Sequence, residues 1–166
     1  MGESIKQEKS IERLIKKINL DYMKIEDIPQ VAEIFISYWG TMCLYHDTVF
    51  ERIINQNISF VYKIQNEVVA FCLMEYNNIK DIVEVDLLCV KKEYRGYHLG
   101  KSILSFSINF CRGLNLKNFS LHVSTTNMPA LNLYKKLGFV ICGYNKKYYS
   151  DEKPEDSNAY FMKLCI

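Results

Sequence analysis

Apolar and polar residues alternate in "KINLDYM" (17–23), which predicts a first β-strand. Asp27 and Pro29 suit a helix cap and a helix first turn. Val31, Ile34, Phe35 and Tyr38 then recur at i, i+3, i+4 and i+7, one apolar helix face. After "WGTMCLYH", Asp47 is a second cap, for a short helix reaching Asn55. "ISFVYKI" and "EVVAFCLMEY", joined at Gln65-Asn66, read as an antiparallel hairpin, and Asn77-Asn78 turns the chain into "DIVEVDLLCV". Leu99, Ile103, Phe106 and Phe110 mark a helix stripe, and "NFSLHV" reads as a strand. Asn127 caps a helix running to Lys136, with Gly138 as its stop. "FVICGYNKKYY" and "AYFMKLC" read as two closing strands.

The order is β-α-α-β-β-β-α-β-α-β-β, an α/β chain with about seven strands and about four helices. The middle strand–loop–helix–strand segment is a right-handed crossover and implies two parallel neighbours. The other strands favour antiparallel pairing, so a mixed sheet is expected. Ligands in such sheets bind at the carboxyl ends of parallel strands. Residues 1–14 read as a mobile or helical extension, and 15–166 as a single domain.

Composition narrows this picture without changing it. A chain of 166 residues needs only one core, and 49% apolar with 24% charged residues is ordinary for a soluble protein. A net charge of +2 gives no argument for nucleic acid. The longest apolar run, Val68 to Met74, is too short to span a bilayer, and the polar start lacks a signal-peptide core. Lys6 stands where a myristoylation signal wants Ser or Thr. Six cysteines form no CxxC pair, so free thiols in a reducing compartment, cytoplasmic or nuclear, are expected. Three histidines without paired spacing give no reason to expect a metal.

Candidate chemistry follows from strand alternation. Glu84, Asp86, Leu88 and Val90 share one face, while Val83, Val85, Leu87 and Cys89 share the packed one. Two carboxylates two residues apart can raise each other's proton affinity and serve as a base, or be ordinary acids on a wet surface. On the next parallel strand Ser120 and His122 face one way and Phe119, Leu121 and Val123 the other. Asn127 and Tyr134 lie seven residues apart on one helix face, and Tyr148 and Tyr149 are expected on opposite faces of one strand. The segment "VKKEYRGYHLGKSIL" (90–104) joins a strand end to a helix starting near Leu99. Its unpaired amides, with Arg95 and Lys101, form an anion site. His98 stands where a glycine would be comfortable, between Gly96 and Gly100, and is expected at negative φ.

"VEVDLLCVKKEYRGYHLG" followed by "SLHVSTTNMPALNLYKKLGF" resembles the GNAT superfamily of acetyl-CoA-dependent N-acetyltransferases. That family's cofactor loop reads Q/R-x-x-G-x-G/A, and Arg95 to Gly100 supplies R-x-x-H-x-G. The resemblance implies the acyl-CoA N-acyltransferase fold with a parallel β4-β5 pair. It implies acetyl-CoA contacts along Leu88, Cys89 and Val90, over Arg95, Gly96, Tyr97, His98, Leu99, Gly100 and Lys101, and from Asn127 and Tyr134. A narrower resemblance, through "LHV…N…A…LYKKLGF" and "NKKYY", is to the NatE-type subunits that acetylate protein N-termini. It implies His122 as a base acting through water, with Tyr45, Tyr148 and Tyr149 around the substrate; Asp86, on the Glu84 face of its strand, is a further substrate-side candidate by alternation. Where that group has a tyrosine on the preceding strand this chain has Glu84, as bacterial ribosomal-protein N-acetyltransferases do, so Glu84, His122 or both could serve.

The reaction so implied is direct attack of an N-terminal α-amine on the thioester, with Tyr134 assisting the departing thiolate. Protein or peptide N-termini are the expected partners, within an N-terminal acetyltransferase complex or at the ribosome; neither a membrane nor nucleic acid is expected. The alternatives are a small-molecule amine, a lysine side chain, or a non-catalytic member that binds CoA.

Overall fold

A computed structural model describes residues 10–39, 47–149 and 157–165. A helical segment, α1, covers residues 10–15. It is followed by β1 (Asn19–Tyr22), α2 (Ile28–Trp39), α3 (Asp47–Ile54), β2 (Phe60–Ile64), β3 (Glu67–Asn77) and β4 (Ile82–Val90). Then come α4 (Leu99–Gly113), β5 (Asn118–Ser124), α5 (Met128–Lys136), β6 (Val140–Asn145) and β7 (Ala159–Cys165). The strands form a seven-stranded sheet in the order β1-β2-β3-β4-β5-β7-β6. Its β4-β5 pair is parallel, while β1-β2, β2-β3, β5-β7 and β6-β7 are antiparallel. This is the expected mixed sheet.

The chain divides into two compact units, Met1–Leu73 with Leu87–Ser107, and Met74–Asp86 with Ile108–Ile166. In the first, Met23, Val31, Ile34, Phe50, Ile53, Ile54, Val61, Val68, Phe71, Leu73 and Cys89 form one core cluster. Burying each large side chain there is worth about 1.5–3 kcal/mol. The hairpin turn has Gln65 at φ 50° and Asn66 at φ 70°, both positive as a tight two-residue turn between twisted strands requires. Asp27 immediately precedes α2, but its carboxylate is occupied elsewhere. It accepts from the Lys24 N–H at 3.0 Å and pairs with Lys63 at 2.6 Å, almost fully buried. Cys89 is buried, and burial followed by the neighbouring Cys72 pushes its thiol far up, so it is no nucleophile.

In α4 the expected stripe is rotated. Leu99 and Ile103 are buried, but the face continues through Leu104, Ser107, Ile108 and Cys111, while Phe106 is 40% exposed. Phe106 instead meets Phe60 edge-on at 5.0 Å, so a flat ring sits at the rim of the buried face.

In the second unit, Leu131, Phe139 and Met162 are buried, as are Val83, Val85, Phe119, Leu121 and Val123 on the face that alternation predicts; Ser120, on the other face of β5, is buried too. Asn127 caps α5 by accepting from the Ala130 N–H at 3.2 Å. Gly138 ends that turn at φ 93°, where an added Cβ would press on Leu164 at 3.3 Å. Strand β6 stops at Asn145, so Tyr148 and Tyr149 are not strand residues with opposite faces. Lys147 turns the chain at φ 54°, and its N–H donates to Asn158 Oδ1 at 3.1 Å. The Tyr149 N–H donates to the Ser157 carbonyl at 2.9 Å, which pins the chain beside the start of β7.

Candidate functional site

Of the sequence-predicted site residues, Leu88, Cys89, Val90 and Arg95 to Lys101 lie in the first unit. The Lys91 N–H, one residue past β4, donates to the Val69 carbonyl on β3 at 2.8 Å. By alternation, the peptide groups of Leu88 and Val90 point to the opposite edge. Beyond β4 a 3-10 turn over Lys92–Tyr94 leads to Arg95, which is exposed. Gly96 sits at φ 84°, and a Cβ placed there would meet no atom within 4 Å. His98 follows at φ 62°, which corrects the expected negative φ. Histidine is among the few non-glycine types that take this left-handed region at modest cost. His98 immediately precedes α4, and its carbonyl accepts from the Ser102 N–H at 3.0 Å. The amides before Ser102 precede that first helical bond, the arrangement that receives a phosphate.

Glu84, Asp86, His122, Asn127, Tyr134, Tyr148 and Tyr149 lie in the second unit. The parallel ladder pairs Glu84 with Ser120, so His122 stands two residues further along β5. His122 Nδ1 and Glu84 Oε1 are 3.1 Å apart. A carboxylate accepts and the ring N–H donates, which leaves the lone pair on Nε2. Tyr148 stacks on the imidazole at 4.3 Å and 12°, and Phe161 lies on it at 5.0 Å and 33°. Tyr148 in turn meets Tyr149 edge-on at 4.9 Å. Burial, then the charges of Glu84 and Asp86, push the Tyr148 phenol above its ordinary value, so it stays protonated. Tyr134 is buried and meets Phe139 edge-on at 5.8 Å. Tyr45 lies outside the described residues.

A cleft of about 320 Å³ opens beside this pair, lined by Lys80, Ile82, Glu84, Ser120, His122, Gly143, Asn145 and Phe161. Sequence reasoning missed Phe161. Its alternation with buried Met162 and Leu164 was visible, but its place opposite His122 comes from the β5-β7 register. Among the described residues no cluster of three or more His, Cys, Asp or Glu side chains could hold a metal ion. Likewise no helix is long and apolar enough to cross a membrane.

Residues 26–139 match the acetyltransferase (GNAT) family. The chain belongs to that family. It is an acetyl-CoA-dependent N-acetyltransferase. Among its relatives, this GNAT chain is 29% identical to the putative ribosomal protein bS18-alanine N-acetyltransferase of Bacillus subtilis, over 78% of this chain and 85% of that protein. It is 30% identical to an N-alpha-acetyltransferase of Sulfurisphaera tokodaii, over 62% of this chain and 66% of that one. The solved structure of Ard1 from Thermoplasma volcanium matches with a TM-score of 0.77 at 25% identity, covering 90% of this chain and 98% of that one. The open space at Gly96, the left-handed turn at His98 and the start of α4 fit the cofactor's pyrophosphate.

Proposed function

We propose that this GNAT enzyme acetylates the N-terminal α-amine of proteins or peptides, with His122 as the base and Glu84 as its orienting partner. The observation that carries the reading is the Glu84–His122 bond beneath the Tyr148 ring. The two relatives named above, one described as an alanine N-acetyltransferase and one as an N-alpha-acetyltransferase, support the same substrate class.

Bound acetyl-CoA supplies the acetyl group as a thioester. Arg95, Lys101 and the amides at the start of α4 hold the pyrophosphate. The outer-edge amides of Leu88 and Val90 bind the pantetheine arm, and one of them polarises the thioester carbonyl. An unperturbed α-ammonium loses its proton at about pH 8, so a modest base suffices to neutralise it. His122 Nε2 accepts that proton through a water, while Glu84 holds the ring in the tautomer whose free lone pair is on Nε2. Tyr148 and Phe161 confine the imidazole to one plane, and Tyr149 and Asp86 border the incoming backbone. Tyr134 gives a hydrogen bond to the departing thiolate. No covalent enzyme intermediate is required, in keeping with the inert Cys89.

Steady-state turnover over a library of N-terminal peptides, run beside polyamines and amino sugars, tests the substrate class. Turnover of peptides with free N-termini, lost on N-terminal blocking, is expected. Turnover confined to the small amines would sink the reading.

A further inference from the structure

Helical spacing places Tyr38 with Val31, Ile34 and Phe35, but its side chain is engaged elsewhere. Those three are buried, whereas Tyr38 is 38% exposed. Its hydroxyl donates to the Val90 carbonyl at 2.5 Å. Arg95 Nε donates to the same carbonyl at 3.3 Å, and the guanidinium carbon lies 4.1 Å from the centre of the Tyr38 ring. The end of α2, the end of β4 and the start of the cofactor loop therefore meet at one oxygen.

An exposed arginine ordinarily samples many rotamers, and ordering them opposes anion binding. Here the carbonyl bond engages Nε and the ring covers one face of the guanidinium. The terminal nitrogens carry its remaining donors, the geometry in which arginine meets phosphate oxygens. Burial raises the Tyr38 phenol, and the Arg95 charge opposes that rise without reversing it, so the hydroxyl remains a donor at neutral pH.

We propose that Tyr38 is a positioning residue for the cofactor, its ring and hydroxyl fixing Arg95 in the orientation that meets the acetyl-CoA pyrophosphate. The inference rests on the assignment of Arg95 to that pyrophosphate. The test compares acetyl-CoA with S-acetylpantetheine, which carries the same thioester and no pyrophosphate. Tyr38→Leu is expected to raise KM for acetyl-CoA about tenfold, with kcat changed less than about twofold. The same variant is expected to use S-acetylpantetheine as well as the parent does. Tyr38→Phe, which keeps the ring and loses the hydroxyl, should raise KM about threefold. In an Arg95→Ala background, Tyr38→Leu should add less than about twofold.

Equal damage with both donors would mean a general packing role and overturn the proposal, as would full multiplication of the two substitutions. If Arg95→Ala leaves KM for acetyl-CoA unchanged, the pyrophosphate assignment falls and this proposal falls with it. If only Tyr38→Leu is silent, the assignment stands and the role of Tyr38 alone is refuted.

Discussion

The segment Arg95–Lys101 and the Glu84–His122 pair are built in different ways. From Gly96 to His98 the first is a matter of backbone: both residues take positive φ, and the chain then enters α4. The second is a matter of side chains: strand register sets Glu84 and His122 near each other, and two aromatic rings hold the imidazole. A backbone device tolerates changes of side-chain chemistry and resists changes of conformation. A side-chain device does the reverse. Substitutions that separate chemistry from conformation should therefore affect the two regions oppositely.

The largest effect belongs to the pair. His122→Ala is expected to lower kcat/KM about a thousandfold on an N-terminal peptide, while melting temperature changes little. Glu84→Gln keeps a hydrogen-bond acceptor and should cost about tenfold to a hundredfold. Because Glu84 is assigned to act through His122, the double variant should be no slower than His122→Ala alone. Multiplying losses would make Glu84 an independent base.

Next in size is the loop. His98→Val places a β-branched residue at φ 62° and should weaken CoA binding by about tenfold, measured by calorimetry. His98→Gly, which suits that φ, should stay within about threefold of the parent. A tolerated valine would show that the left-handed turn is dispensable.

Smaller again is the stack on His122. Tyr148→Phe keeps the ring and should retain kcat/KM within about twofold, whereas Tyr148→Ala should lose about three- to tenfold. Equal losses would assign the effect to the hydroxyl and not to stacking.

The smallest expectation concerns the thiols. In the native protein iodoacetamide should alkylate exposed Cys142 and leave buried Cys72, Cys89 and Cys111 unmodified, as read by peptide mass spectrometry. Native-state labelling of Cys89 would contradict its burial.

The same contrast explains what the sequence made legible. Period-two alternation identified the faces of β4 and β5, and with them Glu84, Asp86 and His122, because alternation is local. It could not show that Glu84 and His122 meet, since a parallel register joins residues 38 positions apart. Nor could it show Phe161 opposite His122. The sign of φ at His98 is not legible in the sequence, because glycine is a reliable marker of that region and histidine an occasional one. Tyr38 matched a helix stripe by spacing, but its polar tip reaches Val90, a contact that no periodicity encodes. "FVICGYNKKYY" by itself carries Tyr148 and Tyr149 into a strand, whereas Lys147 breaks it through a turn in which its N–H donates to Asn158.

The Glu84–His122 pair is proposed to serve an N-terminal α-amine. Its most direct test uses one peptide bearing both a free N-terminus and an internal lysine, acetylated by the parent and by His122→Ala, with the modified nitrogen located by fragmentation mass spectrometry. A single acetyl group on the α-amine is expected, formed at least about a hundredfold more slowly by the variant. Acetylation of the lysine ε-amine by the parent, or an undiminished rate in His122→Ala, would contradict it.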